Sequence, residues 1–505
     1  MPTFDLLMQG FATSVTPWNL FAALLGAVIG TLTGVLPGLG ISGCIALLLP
    51  ISFGMDALSA LIMFCGIYFG AMYGGSTTSI LVNVPGEGAS VVTCIEGYAM
   101  ARKGRAGAAL AVAAIGSFVA GTVGTIGLTF FAPMLADAAI KFGPPEFFAV
   151  MLLGLVVLSN LSGNSSLRSG MMVFFGIMIG TIGMDPTMGI NRLTFNISEL
   201  QRGIDFIIVV MGIFGLGEVL QTMSQPAENS VVFKVRLRDL YPNKLELLRS
   251  IGPIIRGSFL GFFIGLVPGP SATISTFVSY SVEKRMSKHP EEWGNGAIEG
   301  VAGPESANNS ACSAQMIPLL SLGLPFSSSA AILLGGFMIH GIAPGPLLMT
   351  SNPHLFWGLI ASMYVANVML LVLNLPMVGI FASLLKVPLS ILMPIVAIIT
   401  FTGAYAINYS VFDLGLLLGF GLLGYLLKIA GFELAPLAIG VFLGPAIESG
   451  LVQGLTICDG SFLTMLRRPI AGTLLVLTIL MIAYTAFKRP IERLRAALRE
   501  RRIPG

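Results

Sequence analysis

Hydrophobic residues run in stretches long enough to cross a bilayer, and short polar segments separate these stretches along nearly the whole chain. A membrane-spanning helix needs about 20 mostly apolar residues. The pattern predicts an all-α polytopic membrane protein with about 11 spans, near residues 58–84, 107–131, 145–160, 168–184, 204–223, 312–340, 355–375, 388–403, 411–428, 433–447 and 470–487. The run at 433–447 is short, and a re-entrant segment is the alternative there.

Two apolar segments carry the same pattern of glycine and proline. Residues 26–38 read GAVIGTLTGVLPG and residues 257–269 read GSFLGFFIGLVPG, with glycine at every fourth position and proline next to the last. The copies lie 231 residues apart, close to half the chain. This spacing predicts a duplicated unit, with repeats at 18–245 and 246–487. Chance recurrence in a chain with 62 Gly and 29 Pro is the alternative.

The distribution of charge predicts the orientation. No Lys or Arg precedes Arg102, whereas the tail 488–505 is basic. By the positive-inside rule we expect a cytoplasmic tail and a periplasmic N-terminal segment, 1–17. The missing early charge also argues against a cleaved signal peptide. The basic loops further predict that two hairpins, 18–53 and 251–282, enter from opposite sides, an inverted repeat of the kind found in secondary transporters.

Composition narrows the function classes. The chain is 55% hydrophobic and 10% charged, against about a quarter charged in ordinary soluble domains. Its five cysteines show no CxxC spacing, so neither a zinc site nor a disulfide framework is predicted. No HExxH or Walker A motif is present, so ATP-driven transport is not indicated. We expect the lipid bilayer as surroundings, with no cofactor and no nucleic-acid partner.

The prolines at the ends of the two glycine patterns predict helix breaks. Proline removes a backbone donor and clashes with the preceding turn, so a helix stops there and leaves polar groups unpaired. Inside a bilayer, such breaks offer carbonyls to a cation and N-terminal amides to an anion. We therefore predict ion coupling at Pro37 and Pro268, and substrate binding at Gly38, Gly269 and Ser271. The glycine strips themselves are predicted to pack helices closely.

A second pair of predicted unwound segments, 74–88 and 308–329, places polar residues around a proline inside apolar sequence. Hydroxyls and amides can bind a carboxylate without the cost of a buried charge. The alternative for each is a bond to its own helix backbone. The substrate-binding candidates in these segments are Ser76, Thr77, Asn83, Gly86, Asn308, Asn309, Pro325, Phe326 and Ser327.

Two acidic residues lie in the polar segment 296–311. Glu299 and Glu305 are candidates for ion coupling, and acids at the level of the lipid headgroups are the equal alternative. None of the four predicted breaks contains Lys or Arg, so an anion there would be held by dipoles and hydroxyls.

Two other functions remain as alternatives. The sequence GISG at 40–43, with His340 in an apolar run, resembles the GxSG of rhomboid-type intramembrane serine proteases, which would use Ser42 and His340. A passive channel is the other alternative to a secondary transporter.

Long motifs resemble a known family. They are GTLTGVLPGLG, ALLLPISFGMD, YGGSTTSILVNVPGE, GYAMARKGRAGAAL, VEKRMSKHPEEWGNGAIEGVAGPESANN and IPLLSLGLP, and the likeness runs over roughly 10–470. The chain resembles the large permease subunit of tripartite tricarboxylate transporters. The resemblance implies a gradient-driven carboxylate importer of the bacterial inner membrane. Its partners would be a small transmembrane subunit and a periplasmic substrate-binding protein.

The resemblance also implies functional positions. They are Gly34, Pro37, Gly38, Ser76, Thr77, Asn83, Pro85, Gly86, Glu87, Pro268, Gly269, Glu299, Pro304, Glu305, Asn308, Asn309, Gly323 and Pro325. Two features depart from the family pattern: Pro270 and Ser271 follow the second PG, and Phe326 stands where glycine is usual. A smaller or partly apolar carboxylate, aromatic ones included, is therefore the alternative to citrate.

Overall fold

A computed structural model describes residues 3–36, 40–161, 165–185, 189–224, 240–384 and 389–500. These residues are almost entirely helical, and the only strands within them form one short antiparallel pair. In chain order the elements are α1 Thr3–Ser14, α2 Pro17–Val35, α3 Ile41–Leu48, α4 Ala57–Val82, α5 Val91–Arg102, α6 Ala106–Ala139, α7 Pro144–Leu161, α8 Ser166–Gly180, β1 Gly183–Met184, β2 Asn191–Arg192, α9 Ser198–Gln201, α10 Phe206–Val210, α11 Gly217–Ser224, α12 Lys244–Gly265, α13 Ser271–Met286, α14 Glu299–Leu322, α15 Ser328–Ile339, α16 Leu348–Ser351, α17 Pro353–Asn374, α18 Val378–Leu384, α19 Leu389–Asn408, α20 Val411–Ile429, α21 Ala435–Ile457, α22 Phe462–Arg467 and α23 Pro469–Glu500. A π-helical segment, Met211–Leu216, joins α10 to α11, and 3₁₀ turns lie at Pro50–Gly54, Gly88–Ser90 and Pro290–Glu292.

Ten helices in the described part of the chain are long and apolar enough to cross a membrane. This confirms the prediction of an all-α polytopic membrane protein. All but the first two residues of the short run at 433–447 belong to α21, which has 23 residues and is itself long enough to span. The duplication, its boundaries, the re-entrant nature of the hairpins and the inverted orientation stay predictions.

The chain folds as two compact units. One comprises Met1–Ile140 and Asp205–Ala430, and the other comprises Lys141–Ile204 and Gly431–Gly505. In the second unit α8 and α21 pack closely through glycine, since a Cβ on Gly176 would lie 2.2 Å from the Leu437 carbonyl oxygen. An ion pair of 2.6 Å between Arg468 and Glu146 joins α7 to the segment before α23.

The glycine strips of the first unit pack helix against helix, as predicted. A Cβ added to Gly26, Gly30 or Gly34 on α2 would lie 2.2 to 2.4 Å from carbonyl oxygens of α4. On α12, a Cβ on the strip glycines 257, 261 and 265 would lie 2.1 to 2.6 Å from carbonyl oxygens of α14. Only glycine permits backbones to approach this closely.

Four helix interruptions position the candidate site. The first two separate α2 from α3 and α12 from α13. The other two follow α4 and α14, where Asn83 (φ 60°) and Gly323 (φ 69°) turn into the left-handed region. Each of these residues precedes an X-Pro pair, ending at Pro85 and Pro325, which prevents the helix from continuing.

Two predictions about these segments were wrong. The apolar run 312–340 is not one span, because α14 ends at Leu322 and α15 begins at Ser328. The segments 74–82 and 308–322, predicted to be unwound, are helical throughout. Their polar side chains make hydrogen bonds within the protein, so these residues do not need a break to be satisfied.

Candidate functional site

The first turns of three short helices lie close to the interruptions. At the start of α3, the Ile41 amide donates to the Glu87 carboxylate at 2.9 Å. The Ser42 hydroxyl lies 3.2 Å from that of Ser328 and 3.3 Å from that of Ser329, so the first turn of α3 meets the first turn of α15. The interruption after α4 and the starts of α3 and α15 are thereby joined.

The start of α13 reaches the same group of residues. The Gly269 amide donates to the Phe326 carbonyl at 2.8 Å, which ties the second hairpin to the segment before α15. Gly269 has a φ of 131°, a region that favours glycine. We call Ser42, Glu87, Gly269, Ser271, Gln315 and residues 326–329 the tip site.

Gln315 joins four helices at the tip site. It is buried on α14, and its side-chain oxygen accepts from Tyr68 of α4 at 2.7 Å and from Ser327, the N-cap of α15, at 2.8 Å. Its amide nitrogen donates to Ser271 in the first turn of α13. The amide is therefore bonded at both ends, which fixes the spacing of the surrounding helices.

The helix starts of the tip site favour an anion, and the Glu87 carboxylate already accepts from one of their amides, that of Ile41. Helix N-termini carry partial positive charge and free amides. Residues 36–42, 83–90, 266–273 and 323–329 include no Lys, Arg or His, and Glu87 is their only charged residue. Ser42 and residues 326–329 are half-buried, so a ligand can reach them.

The structure brings together only some of the predicted site residues. Gly269, Ser271, Phe326 and Ser327 belong to the tip site, with Pro325 buried beside them. Pro37 and Gly38 lie outside the described residues.

Two other candidates, Asn83 and Gly86, have roles in the backbone structure. Asn83 is the exposed left-handed residue that ends α4. A Cβ on Gly86 would lie 2.0 Å from the Gly34 carbonyl oxygen, so Gly86 allows close packing.

Ser76, Asn308 and Asn309 lie in a second cluster, around Glu305. The Glu305 carboxylate is fully buried and accepts from Ser76 at 2.5 Å and from Asn308 at 3.2 Å. It also accepts from Thr93 in the first turn of α5. Asn309 donates to Ser117 of α6 at 2.8 Å and to Asn308 at 2.5 Å. We call these residues the Glu305 cluster.

A small cavity adjoins the Glu305 cluster. Its volume is about 10 Å³, room for about one water molecule, and its wall includes Tyr73, Ser76, Thr77, Ser117 and Asn374. Thr77 is therefore beside the cluster and not in the tip site.

Glu299 lies in ionic surroundings of a different kind. Its carboxylate pairs with Arg249 at 2.7 Å, and the same guanidinium pairs with Glu292 at 2.6 Å. The hydrogen bond from Arg249 lowers the pKa of Glu292. Glu299 is thus held by an arginine, and its placement at the level of the lipid headgroups stays a prediction.

The sequence model of one protein family, described as the tripartite tricarboxylate transporter TctA family, matches residues 20–439 of this chain. The chain belongs to the TctA family. TctA is the large subunit of the tripartite tricarboxylate transporter, so this chain is a multi-pass membrane component of tricarboxylate transport and not a member of an enzyme family.

Two Agrobacterium vitis proteins are similar to this TctA chain. One, described as an uncharacterized 52.8 kDa protein in the TAR-I ttuC' 3' region, is 46% identical over 475 residues, 94% of each chain. The other, an uncharacterized protein in the TAR-II ttuC' 3' region, is 46% identical over 215 residues, 43% of this chain and 89% of its own. No solved structure matches the chain significantly.

The intramembrane protease alternative is wrong for this TctA chain. His340 lies 3.1 Å from the Ser52 hydroxyl, whereas the hydroxyl of Ser42 meets Ser328 and Ser329. A serine nucleophile needs a base within hydrogen-bond reach, and Ser42 has hydroxyl partners instead.

The sequence interpretation did not single out several side chains of the two sites. They are Thr93 and Ser117 in the Glu305 cluster, Gln315, Ser328 and Ser329 in the tip site, and Tyr68, which bonds to Gln315. Gln315 was detectable, because an amide within the apolar run 312–322 requires a buried partner. Ser328 and Ser329 directly follow Ser327 in the sequence, and only their position at the start of α15 distinguishes them from other serines of the chain.

Proposed function

We propose that the tip site binds an organic carboxylate during import, and that a Na⁺ or H⁺ gradient drives the transport. One observation supports this most: the first turns of α3, α13 and α15 meet around Ser42, Ser271 and Ser327, and the described residues of these turns include no Lys, Arg or His. Amides and hydroxyls at helix starts bind carboxylates well.

The site favours a carboxylate with an apolar part. Citrate carries three carboxylates at neutral pH, whereas the tip site offers helix dipoles and neutral donors, contains no Lys, Arg or His, and already includes one acid, Glu87. Phe326 adds a half-buried aromatic ring beside Ser327. An apolar or aromatic portion of the substrate would pack against this ring. A partly apolar carboxylate is therefore the leading substrate class, with citrate as the alternative.

Family membership implies a tripartite system. We propose the two partners expected from the resemblance, a small transmembrane subunit and a periplasmic protein that delivers the substrate. The bacterial inner membrane is the proposed location, because a periplasmic donor and an ion gradient are available together there.

Uptake by reconstituted vesicles tests the proposal. Vesicles with both membrane subunits, supplied with the binding protein and a cation gradient, should accumulate radiolabelled benzoate or citrate. Ser271→Ala and Gln315→Leu should reduce uptake more than tenfold, because each removes a donor or acceptor at the first turn of α13.

Ser281→Ala is the matched control, since Ser281 is exposed on the same helix and bonds only its own backbone. Its uptake should equal that of the wild type. Downhill leakage without a gradient or binding protein would indicate a channel. A loss of uptake in Ser281→Ala equal to that in the two site variants would contradict the assignment of substrate binding to the tip site.

A further inference from the structure

Glu305 combines burial with an absence of positive charge around it. Its side chain is 0% exposed, and its described partners are the hydroxyls of Ser76 and Thr93 and the amide of Asn308. All three donors are neutral. No Lys, Arg or His in the described part of the chain forms an ion pair with this carboxylate.

The helices that pack against α14 do not supply a countercharge. α4 and α15 contain no charged residue, and α6 contains only Asp137, close to its far end. On α12, Arg256 pairs with Glu283 of α13.

The remaining charges near α14 are also engaged or exposed. Arg249 of α12 pairs with Glu292 and Glu299. Lys284 and Arg285 of α13 and Arg102 of α5 are exposed. Lys244 of α12 is exposed as well, and Glu246 pairs with Arg105.

The other titratable groups on the facing helices are acids, thiols and phenols, and none of them carries a positive charge that could neutralise Glu305. Glu96 of α5 accepts from the amides of Gly294, Gly296 and Ala297 and from Tyr280. Tyr73 of α4 donates to Asn367, and Tyr68 of the same helix donates to Gln315. Cys94 is half-buried on α5, and Cys65 and Cys312 are buried on α4 and α14.

An isolated ionised carboxylate in such surroundings is costly, and a buried acid normally becomes neutral instead. A proton or a metal cation would neutralise it. The carboxylate already lies within direct hydrogen-bond distance of Ser76 and Asn308. A metal cation would have to separate these atoms and replace the bond from an amide donor. A proton leaves both in place and needs only the hydroxyl of Ser76 or Thr93 to turn from donor to acceptor.

We propose that Glu305 carries the proton that drives import, so that the coupling ion is H⁺. This inference rests on the proposed function. In the cycle, the Glu305 carboxylate takes a proton from water on the outer side, and the acid later gives it to water on the inner side. One O–H bond forms and one breaks at the same oxygen, and no electrons are transferred.

Two helices connect the Glu305 cluster to the tip site. α14 carries both Glu305 and Gln315, ten residues or about 15 Å apart. α4 carries both Ser76 and Tyr68, which bond to Glu305 and Gln315 respectively. A shift of α4 against α14 would therefore change both sites together, which is the physical requirement for coupling. The cavity lined by Ser76 and Ser117 gives water a place next to the residue whose hydroxyl donates to the carboxylate.

Infrared difference spectroscopy tests the protonation directly and needs no substrate. Wild-type transporter titrated between acidic and alkaline pH should show a carboxylic-acid C=O band that shifts in D₂O. This band should be missing in Glu305→Gln and should move in Ser76→Ala. Glu299→Gln is the matched control on the same helix and should retain the band. A carboxylate band at every pH that responds to added NaCl would overturn the proposal in favour of a Na⁺ site.

Vesicle transport supplies the second readout. With the binding protein present and labelled benzoate and citrate as probes, an inward proton gradient without added Na⁺ should drive accumulation in the wild type and in Glu299→Gln. Glu305→Gln should retain exchange of labelled for unlabelled carboxylate but lose accumulation, because its neutral amide cannot release a proton. Accumulation driven by Na⁺ without a proton gradient, or retained in Glu305→Gln, would contradict the assignment. Wild-type vesicles that exchange neither probe would count against the proposed function, whereas the infrared titration would still judge Glu305.

Discussion

Gln315 carries no charge and belongs to no recognisable motif, yet the starts of α13 and α15 both bond to its side chain. Its importance follows from geometry, because an amide carries no charge and yet donates and accepts at separate atoms. Glu305 shows the opposite case. Its charge made it a candidate from sequence alone, but only the surrounding helices distinguish it from Glu299, which pairs with Arg249.

Gly269 provides a prediction at the level of one residue. Its φ of 131° is unfavourable for a residue with a Cβ, and its amide donates to Phe326. Gly269→Val should therefore abolish uptake by vesicles while the protein still inserts and purifies as a folded species. Measuring uptake against the amount of folded protein separates these effects. Uptake per folded molecule equal to that of the wild type would mean that the tip conformation does not matter for transport.

Sequence and structure agree best where a single residue decides the backbone. The prolines predicted helix breaks, and α12 ends at Gly265 just before Pro268. The interruption after α14 was placed too early, because Asn308 and Asn309 were interpreted as signs of unwinding. Both are helical and bond to residues of other helices or to each other. Such long-range partners cannot be predicted from local pattern.

At the level of whole elements, the glycine strips hold α2 against α4 and α12 against α14. Gly261→Leu should damage assembly, because a Cβ at this position would lie 2.1 Å from the Ala307 carbonyl oxygen. Overpacking costs about 1–3 kcal/mol even where the neighbours adjust, and here the neighbour is backbone. Thermal unfolding in detergent should show a clear decrease in midpoint relative to Gly415→Leu, where the added side chain meets open space. An unchanged midpoint would mean that the strip is not a packing surface.

At the level of the whole molecule, the predicted inversion requires the two termini to lie on opposite faces of the membrane. In a cysteine-free background, a cysteine introduced at residue 5 should label from the periplasmic side and one at residue 498 from the cytoplasmic side. The physical reason is the charge of the basic tail, because segments rich in Lys and Arg stay on the cytoplasmic side by the positive-inside rule. Labelling of both positions from the same face would contradict the inverted repeat.

The central claim is that three helix starts form one carboxylate site, and electron cryomicroscopy tests it most directly. The complex should be imaged with the carboxylate that its vesicles accumulate, at saturating concentration, and again without it. The account predicts ligand density within hydrogen-bond reach of Ser42, Ser271 and Ser327. Density elsewhere in the chain, with these residues unchanged between the two maps, would contradict the account.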